Sequence, residues 1–422
     1  MLKYGLTFII GLLALTLSGQ NDLLIRDISI LPMSKDTLLL HKSVLIQNGK
    51  IVEIGEKDQI RVPDGATIVP GTGKFLMPGL AEMHSHLPME KKVDTFLLTN
   101  VAAGVTHLRI MNARASQMNL KKRVETNPEL ITPKLHYSYI VKKDLNFIEP
   151  QFDSALIAAK KDGYNFVKLI SVYNETVFEN LMRAAKRQNM IVCGHYPEHV
   201  FLGRLFQFDF RSIEHLGGYE SYPDTNYLSL AVQQTKAAGI FNCPTLEWDK
   251  MAFFLTYPNN AYKNRLVFKI APDKYLQKWE RDYRAEAKAA GEASLMSQIN
   301  QYVPIFKRKQ WLLKKMYDNQ CLLLLGSDPS SFFQMDGFNM YEEMRNWSEL
   351  GIDNYTILKS ATLVPAMFFK EESQWGSVEV GKSADLLILS KNPRLDVENM
   401  LSLETTIIGG KMFDKAALLK KL

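Results

Sequence analysis

The ten residues MPGLAEMHSH, at positions 77–86, carry the pattern that decides the fold. Pro78-Gly79 is a turn signal, and the mainly apolar run after it ends in His84 and His86. Side chains two positions apart on a strand share a face, so the two imidazoles can bind one cation together. The stretch predicts a buried strand that ends in a pair of metal ligands.

Strand-like runs alternate with helix-sized segments from about residue 79 to residue 370. The clearest runs are rich in aliphatic and aromatic residues and lie at 104–109, 165–170, 190–195, 211–215, 239–245 and 321–326. Alternation of this kind builds a parallel sheet, and about eight such units close a TIM barrel. We therefore predict an α/β fold with a TIM (β/α)8 barrel over residues 79–370.

Several of these runs end in a side chain that can bind a metal ion. In addition to the histidine pair, the donors are Lys168, His195, His215 and Asp328. The carboxyl ends of barrel strands meet on one face, where catalytic groups lie. Imidazole and carboxylate suit metals such as zinc, and catalytic zinc sites keep one position for water. The other histidines are interpreted as structural hydrogen-bonding residues; they are His41, His107, His136 and His199.

Both ends of the chain have a β pattern. At 43–54 two alternating runs flank Asn48-Gly49, which is a strong hairpin signal. Short β runs recur at 384–389 and 405–413. We predict that residues 20–78 and 371–422 form the two parts of one small β-sandwich beside the barrel.

Residues 1–19 are typical of an export signal. Lys3 precedes a nearly unbroken apolar run at 6–17, and Ser18-Gly19 follows it. About a dozen apolar residues are too few to span a bilayer, although an uncleaved anchor is the alternative interpretation. We expect an exported protein, periplasmic or extracellular, with no stable membrane span after signal removal.

Composition excludes some classes of partner and fold. The apolar content of 46% and the charged content of 23% are ordinary for a soluble enzyme. A net charge of +6 over 422 residues, without a long basic run, argues against nucleic-acid binding. An odd number of cysteines (Cys193, Cys243 and Cys321) argues against a disulfide framework, and Cys193 is interpreted as a small buried hydrophobe.

The order of these motifs resembles that of the amidohydrolase superfamily. Residues 77–86 are similar to the entry into the family's first barrel strand, and the four later donors follow in the family's order. The run GSVEVGKSADL at 376–386 is similar to the strand that re-enters the family's small β domain. The resemblance covers nearly the whole mature chain. It points to the binuclear, carboxylated-lysine type, in the branch that contains prolidase and imidazolonepropionase.

The resemblance implies two divalent ions, expected to be zinc. One would be held by His84, His86 and Asp328, and the other by His195 and His215. Lys168 would bridge them as a carbamate formed with carbon dioxide. Two dications lower the pKa of a lysine between them, which leaves the neutral amine that this reaction needs. A metal-bridged hydroxide would attack the substrate, and Asp328 would pass the proton to the leaving nitrogen.

We therefore expect an exported hydrolase of an amide-type carbon–nitrogen bond, with a dipeptide or N-acyl amino acid as its small-molecule substrate. A mononuclear deaminase or cyclic-amide hydrolase is one alternative, which would not need Lys168. A non-catalytic binding protein on the same scaffold is the other.

Arg109 and Tyr219 are candidate substrate contacts by position alone. Residues 246–316, rich in aromatic and charged side chains, are predicted to be a helical excursion that caps the barrel mouth. A homo-oligomer is compatible with the sequence.

Overall fold

Two sheets organise the chain. The structure is a computed structural model that describes residues 22–219 and 225–422, so the predicted export signal at 1–19 lies outside the described residues. The first five strands are β1 (Leu23–Ile30), β2 (Leu39–Gln47), β3 (Lys50–Glu56), β4 (Thr67–Pro70) and β5 (Phe75–Pro78). The next eight are β6 (Leu80–Ser85), β7 (Val105–Ile110), β8 (Lys134–Val141), β9 (Phe166–Leu169), β10 (Ile191–Gly194), β11 (Phe210–Glu214), β12 (Phe241–Cys243) and β13 (Leu322–Leu323). The last three are β14 (Leu386–Leu389), β15 (Leu403–Ile408) and β16 (Lys411–Asp414).

Strands β6 to β13 form a parallel sheet in which neighbours follow chain order. The sheet is curled, because its first strand is also hydrogen-bonded to the segment that follows its last strand. Met83 N donates to Leu325 O at 3.2 Å, and Asp328 N donates to His84 O at 3.0 Å. This arrangement confirms the predicted α/β class and parallel sheet, and it is consistent with a TIM-like barrel.

Helices lie between the parallel strands, after the last of them and, in one case, at the end of the chain. They are α1 (Val93–Ala102), α2 (Asn119–Thr126), α3 (Glu149–Asp162), α4 (Glu175–Arg187), α5 (Leu202–Gln207), α6 (Thr225–Ala238), α7 (Leu246–Ala252), α8 (Asp273–Ala290), α9 (Glu292–Asp318), α10 (Asn339–Glu349), α11 (Asn354–Ser360), α12 (Leu363–Phe369) and α13 (Lys415–Leu419). Helix α4 shows how the sequence sets such an element. The Asn174 side chain accepts a hydrogen bond from Val177 N at 3.0 Å and begins the helix. Phe178 and Leu181 then bury one face against the sheet.

The second sheet is mixed and combines both ends of the chain. Its order is β16-β15-β14-β5-β1-β2-β3, with β4 paired to β1. The predicted hairpin joins β2 to β3, and Asn48 (φ 50°) and Gly49 (φ 73°) both have the positive φ that a type I′ turn requires. Ile25, Leu76 and Ile388 share one apolar core, so residues far apart in sequence are packed together. The sandwich form and the domain boundaries stay predictions.

The excursion at 246–316 lies between β12 and β13 and contains α7, α8 and most of α9. Its helices are tied together by buried polar contacts. Lys309 Nζ lies 2.9 Å and 3.1 Å from the two carboxylate oxygens of Asp249, which is fully buried. At the start of α7, Glu343 of α10 accepts hydrogen bonds from Leu246 N at 3.1 Å and Glu247 N at 2.7 Å. The start of α7 is therefore held against the barrel.

Across the described ranges, no helix combines the length and apolar character needed to cross a bilayer. The three cysteines are buried free thiols, and Cys193 packs in an apolar cluster, as its interpretation as a small buried hydrophobe predicted.

Candidate active site

Asp328 lies at the centre of a histidine cluster at the carboxyl ends of the parallel strands. Its carboxylate oxygens lie 3.1 Å from His86 Nε2, 3.7 Å from His84 Nε2 and 3.9 Å from His215 Nε2. His84, His215 and Asp328 each offer one ligand atom within 4.8 Å of the others. The structure therefore brings together residues that are up to 244 positions apart in sequence (328 − 84).

His195 and Lys168 complete the cluster from neighbouring strands. The imidazole of His195 lies 5.2 Å from that of His215, measured between ring centroids. Gly194 precedes it with φ 145°, and a Cβ there would lie 2.1 Å from Leu169 O. Only glycine lets β10 approach β9 so closely at this point.

The amine of Lys168 is buried without a hydrogen-bond partner among the described residues. Lys168 is 1% exposed, and burial lowers the pKa of its amine. A buried amine with no acceptor is costly, so the position favours a group that supplies a partner or converts the amine. Lys168 differs in this respect from a solvated or salt-bridged lysine.

The protonation states suit metal binding. Burial lowers the pKa of His84 and His215 well below the usual range and that of His195 to about 4, so these imidazoles are neutral near pH 7. Burial alone would raise the pKa of Asp328, but His84, His86 and Lys168 lower it overall. Neutral imidazoles and an ionised carboxylate are the forms that bind a divalent ion. The metal implied by the resemblance therefore fits these residues.

Two further residues orient the histidine rings. Glu214 Oε2 lies 2.8 Å from Nδ1 of His84, and Thr245 Oγ1 lies 2.6 Å from Nδ1 of His215. In each ring the Nδ1 contact leaves Nε2 directed at Asp328. Neither role was predicted from the sequence, because each contact joins residues on different strands or loops.

Glu82 joins the first and last strands behind the cluster. Its Oε1 accepts from His84 N and Ser327 N, each at 2.9 Å, and the Ser327 hydroxyl donates to its Oε2. The carboxyl group is buried, and burial raises its pKa to about 7. Glu82 thus fixes the backbone on both sides of the cluster.

The structure places Arg109 and Tyr219 away from the cavity surface. Arg109 is fully buried and donates to Ser212 Oγ at 2.9 Å and to Glu214 Oε2 at 2.7 Å. The Tyr219 hydroxyl is buried 2.8 Å from Thr235 Oγ1. Neither lines the cavity in front of the cluster. Arg109 therefore supports Glu214 from behind, which differs from the expected substrate contact.

An open cavity of about 750 Å³ gives access to the cluster. Besides the ligand-type residues, the polar and aromatic side chains on its wall include Asn112, Lys142, Tyr196, Glu198, Trp248 and Ser330. Trp248 comes from α7, and its ring lies 5.7 Å from that of His215. The excursion thus contributes Trp248 to the cavity wall, and its role as a cap stays a prediction.

Comparison with known proteins agrees with the fold. The model of the amidohydrolase family matches residues 287–413. A dihydroorotase from Bacillus thuringiensis (strain Al Hakam) is 20% identical over 222 residues, which are 49% of this chain and 50% of that protein. The chain thus spans about half the length of the curated relatives that it matches.

Two solved structures share the fold over most of their length. A Xaa-Pro dipeptidase with bound methionine in the active site gives a TM-score of 0.70 at 16% identity, covering 93% of this chain and 100% of that chain. A putative prolidase from Bifidobacterium longum gives 0.71 at 18% identity, covering 95% and 98%. The family match includes β13 and Asp328, and the fold agrees around it. Over residues 287–413 the chain is thus similar to the amidohydrolase family, and its fold is similar to that of the two solved structures.

Proposed function

We propose that this protein is a metal-dependent hydrolase that cleaves an amide-type carbon–nitrogen bond in a dipeptide or N-acyl amino acid. The observation that carries the proposal is the unpartnered Lys168 amine, buried beside four histidines and an aspartate at the end of an open cavity. A structural lysine would have an acceptor or reach solvent. The Lys168 amine has neither, as expected of a lysine that is covalently modified.

The cluster would hold two divalent ions, with His84, His86 and Asp328 on one side and His195 and His215 on the other. Lys168 Nζ would attack carbon dioxide, forming an N–C bond and losing a proton, and the carbamate oxygens would bridge the two sides. A divalent ion supplies Lewis acidity toward a carbonyl oxygen and lowers the pKa of a water. Zinc suits this donor set of imidazoles and carboxylates.

Asp328 would act as the proton carrier. Its carboxylate is ionised and 6% exposed, and it lines the cavity, so it can reach a substrate bound there. It would take a proton from the attacking water and donate it to the leaving nitrogen. Glu214, Thr245 and Glu82 would hold the surrounding groups in place.

The similarity in fold to a Xaa-Pro dipeptidase and a prolidase supports a dipeptide as the substrate. A cyclic-amide hydrolase is the second candidate, because the dihydroorotase gives a sequence match over half its length. The apolar run at 6–17 supports export to the periplasm or the extracellular space. Peptides and acylated nutrients reach an enzyme in either location.

A substrate panel would test the activity. Metal-loaded protein should release amino acids from dipeptides or N-acyl amino acids, and it should release little ammonia from heterocycles. Elemental analysis should approach two divalent ions per chain. Ammonia from a heterocycle without peptide cleavage would replace this proposal with the deaminase alternative. Full activity with one ion would replace the bridged pair with a mononuclear site.

A further inference from the structure

Two opposite charges on the cavity wall take no part in the ligand cluster. Apart from that cluster and Glu214, the charged residues that line the cavity in the described ranges are Lys142 and Glu198. Both are exposed. Neither side chain has a hydrogen bond or ion pair with another described residue. In contrast, Glu214 Oε2 contacts His84 and Arg109, and its Oε1 accepts from Ser212 Oγ. Lys142 and Glu198 are therefore available to a ligand.

The strand register places Lys142 at the rim, next to the strand that carries Lys168. Ile140 pairs with Lys168 across β8 and β9, and Ile140 lines the cavity. Lys142 follows the last residue of β8 and lines the cavity on the same side as Ile140, as expected for side chains two apart in an extended chain. Its neighbour Lys143 alternates to the other face and is not among the residues on the cavity wall. Lys142 thus places a positive charge on the cavity wall, on the β8 side of the ligand cluster.

Glu198 approaches from the opposite flank of β9. Leu169 pairs with Val141 on one side and with Gly194 on the other, so the segment that contains His195 and Glu198 leaves the far side. Two strand spacings of about 4.8 Å separate β8 from β10 by roughly 10 Å. An extended dipeptide is about 7 Å long, and flexible lysine and glutamate side chains can span the difference. The positive and negative side chains therefore come from opposite flanks of β9, and both line the cavity that opens on the cluster.

We infer that the site selects a zwitterionic dipeptide over an N-acyl amino acid. Lys142 binds the free carboxylate of the substrate and Glu198 binds its free ammonium group, so that the scissile amide lies over the ligand cluster. This inference rests on the proposed function and narrows its substrate class. An N-acyl amino acid would leave Glu198 without its partner, whereas a free dipeptide satisfies both charges.

Kinetics with three matched substrates would test the inference. The substrates are the best dipeptide of the panel, its C-terminal amide and its N-acetyl derivative. Lys142→Met should raise KM for the free dipeptide about 10-fold with little change in kcat, because a charge-assisted contact is lost. It should leave KM for the C-terminal amide unchanged. Glu198→Gln should raise KM for the free dipeptide and leave KM for the N-acetyl derivative unchanged.

Lys143→Met is the matched control, since it removes the same charge one residue away on the other face, and its KM values should equal those of the wild type. Both test positions are exposed, so unchanged thermal unfolding should accompany the expected effects. Binding of the dipeptide to metal-free protein, measured by calorimetry, gives a readout that does not need turnover. Lys142→Met should weaken this binding by a similar factor.

The outcomes distinguish failure of the zwitterion inference from failure of the proposed hydrolase function. If Lys142→Met leaves KM for the dipeptide unchanged, or raises KM equally for the C-terminal amide, the carboxylate assignment is wrong. If the wild type prefers N-acetyl amino acids to free dipeptides, the zwitterion inference is wrong while the hydrolase proposal stands. If neither compound class is cleaved, the proposed function itself is wrong.

Discussion

The carboxylate of Glu214 lies 2.8 Å from Nδ1 of His84, and both side chains are buried at the carboxyl ends of their strands. Arg109 donates to the same carboxylate oxygen at 2.7 Å. Burial alone would raise the pKa of Glu214, but Arg109 and Lys168 lower it overall, so the group is ionised. An ionised acceptor keeps the proton of His84 on Nδ1 and leaves the Nε2 lone pair for a metal.

Glu214→Gln should therefore weaken metal binding about 10- to 100-fold, as loss of such a supporting contact typically does. Competition with a chelating dye would measure the affinity. Glu198→Gln makes the same chemical change on the same cavity without contacting a ligand residue, and its affinity should match the wild type. Equal affinities for the two variants would contradict the role of Glu214.

Replacing Lys168 tests the modified lysine. Lys168→Ala should lose metal and activity, and short carboxylates such as formate should partly restore both by replacing the carbamate oxygens. Lys168→Met should not lower the unfolding temperature of the metal-free protein, because it removes a buried amine that has no acceptor. Unchanged metal content in either variant would mean that Lys168 is structural.

Asp328→Asn separates proton transfer from metal binding. Asparagine keeps the size and one oxygen donor but cannot accept the proton. We expect turnover to fall about 10²- to 10⁴-fold, the usual cost of losing a general acid–base group. Metal occupancy, measured by elemental analysis, should fall much less than turnover. Near-normal turnover would assign the proton transfer to another residue.

Glu343 should stabilise the excursion through the start of α7. It accepts from Leu246 N and Glu247 N, and Trp347 Nε1 donates to it at 2.7 Å. Glu343→Ala would leave these buried donors unpaired and should lower the free energy of unfolding by about 2–4 kcal/mol. Glu349→Ala, at an exposed position of the same helix, should cost less than about 0.5 kcal/mol. Urea unfolding of both variants would measure the difference.

Asp385 should make stability fall in acid. Burial alone would raise its pKa, but contacts with His107 and Lys134 hold the pKa well below the usual range. A carboxyl group whose pKa is lower in the folded state stabilises the fold above its unfolded pKa of about 3.9, and this contribution is lost as pH falls. Urea unfolding between pH 5 and pH 2 should show the loss. Asp385→Asn should be less stable at pH 7 and show a flatter pH profile.

Alternation along a strand predicted that His84 and His86 are neighbours, and their ring centroids lie 5.3 Å apart with both rings facing Asp328. This holds although the pairing of β6 with β7 is irregular between Glu82 and Ser85. The same rule fails at the end of β11. His215 has φ 61° and Leu216 has φ 55°, so the alternation is broken and both Glu214 and His215 line the cavity. The sequence contains this pair, but only the backbone conformation shows that both residues face inward.

Arg109 illustrates a second limit of sequence reasoning. It lies one residue before the end of β7, which suggested a place near substrate. The side chain instead extends sideways inside the sheet to Ser212 and Glu214 of β11. Strand position gives the height of a residue in the barrel, whereas the direction of a long side chain depends on partners that are about 100 residues away.

Strand β5 pairs with β1 on one edge and with β14 on the other. Met77 and Leu387 face each other across that second edge, 310 positions apart (387 − 77). The chain is synthesised from its N-terminus, so the edge of β5 that pairs with β14 stays unpaired until residues 386–389 have been translated. Unpaired strand edges recruit other chains. Translation products that end before β14 would therefore expose an unpaired, aggregation-prone strand edge and become substrates for cellular quality control.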